Sequence, residues 1–192
     1  MGRVDTAENS TNSFTDNVYT ILSDTIKKGT VVIELERQAP LGSHDEESDL
    51  TCRKTYSIHS KKPLIDCEYS ITNSGDKSIE FVHAVEWNFT LLAPSAPDRA
   101  ITIEGERFEM NSQGETADLS EWSMTDNYFG FTTHFSTGSE VTLIRYPIET
   151  VSNSEGGIES NYQGTSFIAL TEFALEPGET SSATFSIELK PA

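Results

Sequence analysis

The chain has 192 residues, 35% of them hydrophobic, with 31 acidic side chains against 13 basic ones and a formal charge of −18. That length makes one domain or two small ones with a sizeable core, and a field this negative repels phosphate backbones and anionic lipid, which argues against nucleic-acid and membrane partners. No apolar run reaches the roughly 18 residues of a membrane span, and Met1-Gly-Arg-Val-Asp-Thr-Ala-Glu8 lacks the basic-then-apolar order of a signal peptide, so the expectation is a cytoplasmic protein.

Residues 1–17, rich in Asn, Ser, Thr and Asp, have no hydrophobic period and read as a flexible tail or linker; the domain is expected over 18–192. From Val18 onward the pattern is period two. Candidate strands in chain order are Tyr19–Leu22, Val31–Arg37, Leu50–His59, Leu64–Thr72, Ile79–Leu91, Ile101–Phe108, Glu121–Thr125, Gly130–Phe135, Val141–Tyr146, Tyr162–Phe173 and Ala183–Leu189. In Ile65-Asp-Cys-Glu-Tyr-Ser-Ile71 every odd position is apolar or aromatic and every even one polar, the mark of an antiparallel strand with one wet face. Turn clusters separate the strands: Lys28-Gly29, Ser43–Ser48, Asn73–Asp76, Asp126-Asn127, Thr137–Ser139 and Glu176–Glu179. No segment carries a sustained i, i+3, i+4, i+7 apolar stripe, so the expected class is all-β, a large two-sheet antiparallel β-sandwich. Periodicity alone does not separate that from a jelly roll.

One run is more specific than strand patterning requires. Pro147, Glu149, Thr150, Val151, Ser152, Ser154, Glu155, Gly157, Glu159, Tyr162, Gln163 and Gly164 match a P-x-E-T-V-S-x-S-E-x-G-x-E-x-x-Y-Q-G pattern. This segment resembles the C-terminal all-β domain of family 57 glycoside hydrolases, the α-amylase and 4-α-glucanotransferase group. Lys54–Tyr56, Glu68–Asn73, Val85–Phe89 and 126–130 fit the same order of strands and turns, so the resemblance spans about residues 18 to 190. It implies a galactose-mutarotase-like supersandwich that accompanies a catalytic barrel absent from this chain. The implied function is a non-catalytic accessory or carbohydrate-binding domain, with α-1,4-glucan or an oligosaccharide and the barrel as partners. No catalytic residue is carried over.

The residues themselves give candidate sugar contacts. Along Ile79–Leu91 one face presents Phe81, His83, Val85, Trp87 and Phe89, and the other Glu80, Glu86 and Asn88. Glu86 and Asn88 are candidates to hydrogen-bond sugar hydroxyls, with contact to a neighbouring loop or domain as the competing reading. Trp122, Tyr128, Tyr162 and Gln163 lie next to turns, where aromatic faces could stack on pyranose rings. For Trp122 the competing reading is a cap on the sandwich core.

Catalysis and metal binding find less support. A stand-alone epimerase would need His83 and Glu86 as acid and base, yet they fall on opposite faces of one strand. Glu80 and Glu86 are six residues apart, roughly 20 Å, too far for a glycosidase pair. Asp118, Asp126, Asn127 and Glu155 could offer oxygens to calcium, but no EF-hand loop is present and no zinc spacing involves His44, His59 or His134, so no metal or cofactor is expected. Cys52 and Cys67 are expected to remain unbridged. A purely structural module is the remaining alternative.

Overall fold

The computed structural model describes residues 14–15, 17–42, 48–91, 93–154 and 157–192. The expected tail therefore lies almost entirely outside the described residues, as do most of the acidic Ser43–Ser48 loop, His44 and Glu155. Among the described residues there is no helix. Eleven strands follow one another: β1 (Thr20–Lys27), β2 (Thr30–Leu41), β3 (Ser48–His59), β4 (Leu64–Asn73), β5 (Ile79–Phe89), β6 (Arg99–Ile103), β7 (Glu106–Phe108), β8 (Gly114–Asp126), β9 (Phe131–Ser154), β10 (Gly157–Leu175) and β11 (Thr180–Pro191). The fold is all-β and sandwich-like, and the pairs β1–β2, β2–β3, β6–β7, β6–β8, β8–β9, β9–β10 and β9–β11 are antiparallel. Contacts divide it into two compact units, the first Met1–Lys61, Asp66–Phe81 and Glu172–Thr184, the second Lys62–Ile65, Val82–Thr171 and Phe185–Ala192.

In the first unit β1, β2 and β3 form a meander joined by a two-residue turn, with Lys27 paired to Thr30. The turn residues Lys28 and Gly29 have φ of 52° and 84°, the left-handed pair that matches the twist of a hairpin. Leu50, Cys52, Ile71, Ile79 and Leu175 make its core, with Phe14, Tyr19, Leu41, Phe81 and Phe173 packed around them. Asn73 is fully buried. Its Nδ2 donates to the carbonyls of Lys77 and Leu175, while its Oδ1 accepts from Ser48 Oγ and the Gly75 N–H, so both ends of the amide offset their desolvation.

In the second unit β9 is 24 residues long and serves two layers. Its first part pairs β8 on one side and β11 on the other, with β6 and β7 beyond β8; its later part pairs β10, which in turn pairs β5. The inward faces of these layers meet in an aromatic cluster. Trp122 stacks on Phe135 at 5.1 Å and 6°, Trp87 meets Phe185 edge-on at 4.9 Å, and Phe89 contacts Phe135 and Phe167 at 5.3 and 6.2 Å. Each such pair adds about 0.5–1.5 kcal/mol beyond the area it buries.

Two segments depart from the expected strands. Ile101–Phe108 is a β6–β7 hairpin rather than one strand, because Glu104 and Gly105 take φ of 51° and 81° and reverse the chain. The Thr137–Ser139 cluster does not end a strand; Thr137 Oγ1 donates toward the Ser139 and Ser120 carbonyls, and β9 continues past an irregular register with β8 between Leu119 and Glu121.

Candidate functional site

The hairpin between β8 and β9 is built on a buried ion pair. Arg99 Nε donates to Asp126 Oδ2 at 2.9 Å, and Asp126 is fully buried while Arg99 is 7% exposed. Burial pushes the Asp126 carboxyl up, but hydrogen bonds from the Phe129 N–H and from Arg99 outweigh it and hold the group below the usual carboxylate range. The Gly130 N–H donates to the Asp126 carbonyl, closing the turn. At its tip Tyr128 is 67% exposed and Phe129 52%, their rings edge to face at 5.1 Å. The Arg99 guanidinium lies 5.3 Å from the Tyr128 ring. The result is an outward aromatic pair on a rigid mount.

The other candidates occupy different places. Glu86 and Asn88 share the exposed face of β5. Glu86 Oε1 accepts from Ser166 Oγ at 3.1 Å and lies 3.4 Å from the Tyr146 hydroxyl, so its carboxylate is engaged by neighbouring strands. Tyr162 is half-buried, its hydroxyl 2.6 Å from Thr165 Oγ1, which donates to the Met110 carbonyl; burial is the main reason its phenol is pushed up. Gln163 Nε2 donates to Thr150 Oγ1 on the facing strand. Trp122 is 3% exposed inside the aromatic cluster, so its ring faces are occupied. The structure thus brings Tyr162 and Gln163 together on the β9–β10 hairpin, while Tyr128 stands at the β8–β9 turn beside Arg99.

That hairpin carries the 146–164 run. Residues 150–153 pair with 158–161 and are exposed, with Val151 at 71% and Ile158 at 80%. At its base a Cβ on Gly164 would stand 2.5 Å from the main-chain oxygen of Phe89. The close approach of β5 to β10 requires glycine there.

A further feature comes from side chains that sequence reading had not grouped. On the outer face of β6, β8, β9 and β11, Thr102, Ser123, His134 and Glu188 sit at paired positions in one row, and Glu121, Ser136 and Ser186 in the next. Together with Glu104, Asp118, Lys190 and Leu64 they line a groove of about 680 Å³. Lys190 Nζ binds Glu188 Oε2 at 3.0 Å. Glu121 and Glu188 are separated by two strand spacings and a two-residue offset, which puts their backbones about 12 Å apart.

Of the oxygen-bearing groups considered for calcium, Glu155 lies outside the described residues. Asp126 is committed to Arg99, Asp118 belongs to the groove, and the Asn127 N–H donates to the Asp98 carbonyl. Among the described residues no cluster of three or more His, Cys, Asp or Glu could hold a metal ion. Nor is any helix long and apolar enough to cross a membrane.

Known proteins resemble the chain at two levels. It is 31% identical over 137 residues to Alpha-amylase 1 of Dictyoglomus thermophilum, covering 71% of this chain but 20% of that protein. Its fold is similar to 4-alpha-glucanotransferase from Thermococcus litoralis (TM-score 0.61, 16% identity, 91% of this chain and 22% of that one) and to galactose 1-epimerase from Lactobacillus acidophilus NCFM (TM-score 0.67, 13% identity, 92% and 67%). The chain thus spans about a fifth of the length of the amylase and the glucanotransferase it matches. A profile described as Alpha-amylase/4-alpha-glucanotransferase, C-terminal, matches residues 3–185, and the chain belongs to that family.

Proposed function

We propose that this chain is a non-catalytic accessory module of a family 57 α-glucan-active hydrolase or transferase, that it works beside that enzyme's catalytic barrel, and that it contacts α-1,4-glucan through Tyr128. Family membership supports the substrate class, and the carrying observation is the exposed Tyr128–Phe129 pair on its buried Arg99–Asp126 mount. A ring carried on a turn tied by hydrogen bonds to Asp126 meets the apolar face of a pyranose at little entropic cost. Glu86 and Asn88, Tyr162 and Gln163 are further contact candidates on their own exposed or half-exposed surfaces. Cytoplasmic residence agrees with two free, buried thiols, Cys52 and Cys67.

The absence of chemistry in this proposal rests on geometry. A glycosidase needs carboxyl groups about 5–5.5 Å or 6.5–9.5 Å apart flanking one bond; in the groove Glu188 is ion-paired with Lys190 and lies across β9 from Glu121, their backbones about 12 Å apart. For epimerisation, His83 and Glu86 point to opposite faces of β5. Chromatography of maltoheptaose incubated with the chain, with retention on immobilised amylose measured in parallel, tests the reading. Retention without new oligosaccharides is expected. Shorter or longer products, or accelerated mutarotation of fresh α-glucose, would show a catalyst and overturn it.

A further inference from the structure

We propose that the groove on the outer face of β6, β8, β9 and β11 is a binding site for a short, neutral, polyhydroxylated ligand of the oligosaccharide class, with His134 at its floor. This rests on the α-glucan reading above and assigns that ligand a place on the molecule distinct from Tyr128.

Three observations carry it. First, the outer face forms a half-open groove whose volume of about 680 Å³ falls within the ~300–1,000 Å³ of small-molecule sites. Second, its lining is matched to hydroxyl groups. Thr102, Ser123 and Ser136 offer hydroxyls from three adjacent strands, each able to donate and accept. The strands are spaced about 4.8 Å apart, so the groove presents a ladder of two-way hydrogen-bonding groups. His134, half-buried at the centre of one row, adds a ring with one donor and one acceptor nitrogen. Third, charge selects against anions. Glu104, Asp118, Glu121 and Glu188 face one cation, Lys190, which Glu188 already holds, so a phosphate or carboxylate would enter a negative field.

The alternation of β8 explains why polar side chains line the groove although Leu119, Trp122 and Phe135 also border it. Glu121 and Ser123 point outward, while Trp122 between them turns into the core and stacks on Phe135. The groove therefore recognises its ligand by hydrogen bonds rather than by stacking, the opposite of the Tyr128 tip. That difference makes the two separable by experiment.

The test is a titration of the 13C-labelled full chain with maltotriose, following the imidazole Cε1–H signals and the Tyr128 ring signals, with His134 assigned through His134→Gln. The His134 signal is expected to shift saturably, and Ser136→Gln, which fills the groove from an exposed position, is expected to weaken binding at that site at least tenfold with an unchanged melting temperature. α-Glucose 1-phosphate is expected to give no saturable shift. If maltotriose moves Tyr128 while His134 stays still, the groove inference falls and the accessory-module reading stands. If neither moves, both fall. Equal affinity for the phosphorylated sugar would overturn the assignment of a neutral ligand. Should Ser136→Gln fail to fold, the wild-type shifts and a maltotriose titration of His134→Gln decide the matter.

Discussion

Gly164 faces the main-chain oxygen of Phe89 so closely that a single added methyl would stand 2.5 Å from it. The obstacle is backbone and cannot swing aside. Gly164→Ala must push β5 and β10 apart, and the expected cost is about 1–3 kcal/mol, or about 2–4 °C of melting temperature per kcal/mol for a domain of this size. A thermal melt checks it; an unchanged melting point would mean the strands are not held at this spacing.

Phe167 and Tyr128 should behave oppositely. Phe167 is completely buried and touches Phe89, Trp122 and Phe135, so Phe167→Ala is expected to cost about 3–5 kcal/mol. Tyr128 is mostly exposed, and Tyr128→Ala is expected to change stability by no more than about 0.5 kcal/mol. Urea unfolding of the two variants measures both, and a strongly destabilised Tyr128→Ala would make that ring a structural part.

The Arg99–Asp126 pair predicts a pH dependence with a definite sign. Because the Asp126 carboxyl is held below its ordinary range in the folded chain, its contribution is fully present above the unfolded carboxylate pKa of about 4 and is lost as pH falls through the lower folded value. Asp126→Asn is expected to lower the melting temperature at neutral pH and to flatten part of the acid limb below about pH 4. Melts from pH 2.5 to 7 compare the two proteins; parallel curves would contradict the assignment.

Burial raises the Cys67 thiol to about 11, with Asp66 adding to the effect. The thiolate is the reactive species, so the folded chain is expected to resist a thiol reagent at pH 8 and to react once unfolded in urea. The linked stability is present below the ordinary thiol pKa and lost as pH rises through about 11. Rapid modification of Cys67 in the folded chain would contradict this burial.

The all-β class was legible because the signal is local: Ile65–Ile71 alternates residue by residue, and β4 buries Cys67, Tyr69 and Ile71 in that phase while Ile65 at its start stays exposed. The run at 147–164 was legible through its own residues, and Gly164 now has a steric reason. Less visible was anything set by pairing between distant segments. The Glu104-Gly105 turn reads as strand because Ile101, Ile103 and Phe108 around it are apolar, and β9 continues through Thr137–Ser139, where Thr137 Oγ1 donates to the Ser120 carbonyl of β8. Trp122 sits near a turn, yet its phase with Met124 and Asp126 turns it inward. The groove had no linear signature, since Glu188 reaches His134 only through the β9–β11 register, more than fifty positions apart in sequence.

Binding of α-glucan at the exposed Tyr128 tip, with no transformation of the sugar, is the central property proposed for this chain. Titration calorimetry of maltoheptaose into the chain and into Tyr128→Ala measures that directly. Saturable binding that Tyr128→Ala weakens about tenfold, roughly 1.4 kcal/mol, is the predicted result. No heat with the unaltered chain, or identical isotherms for the two proteins, would contradict it.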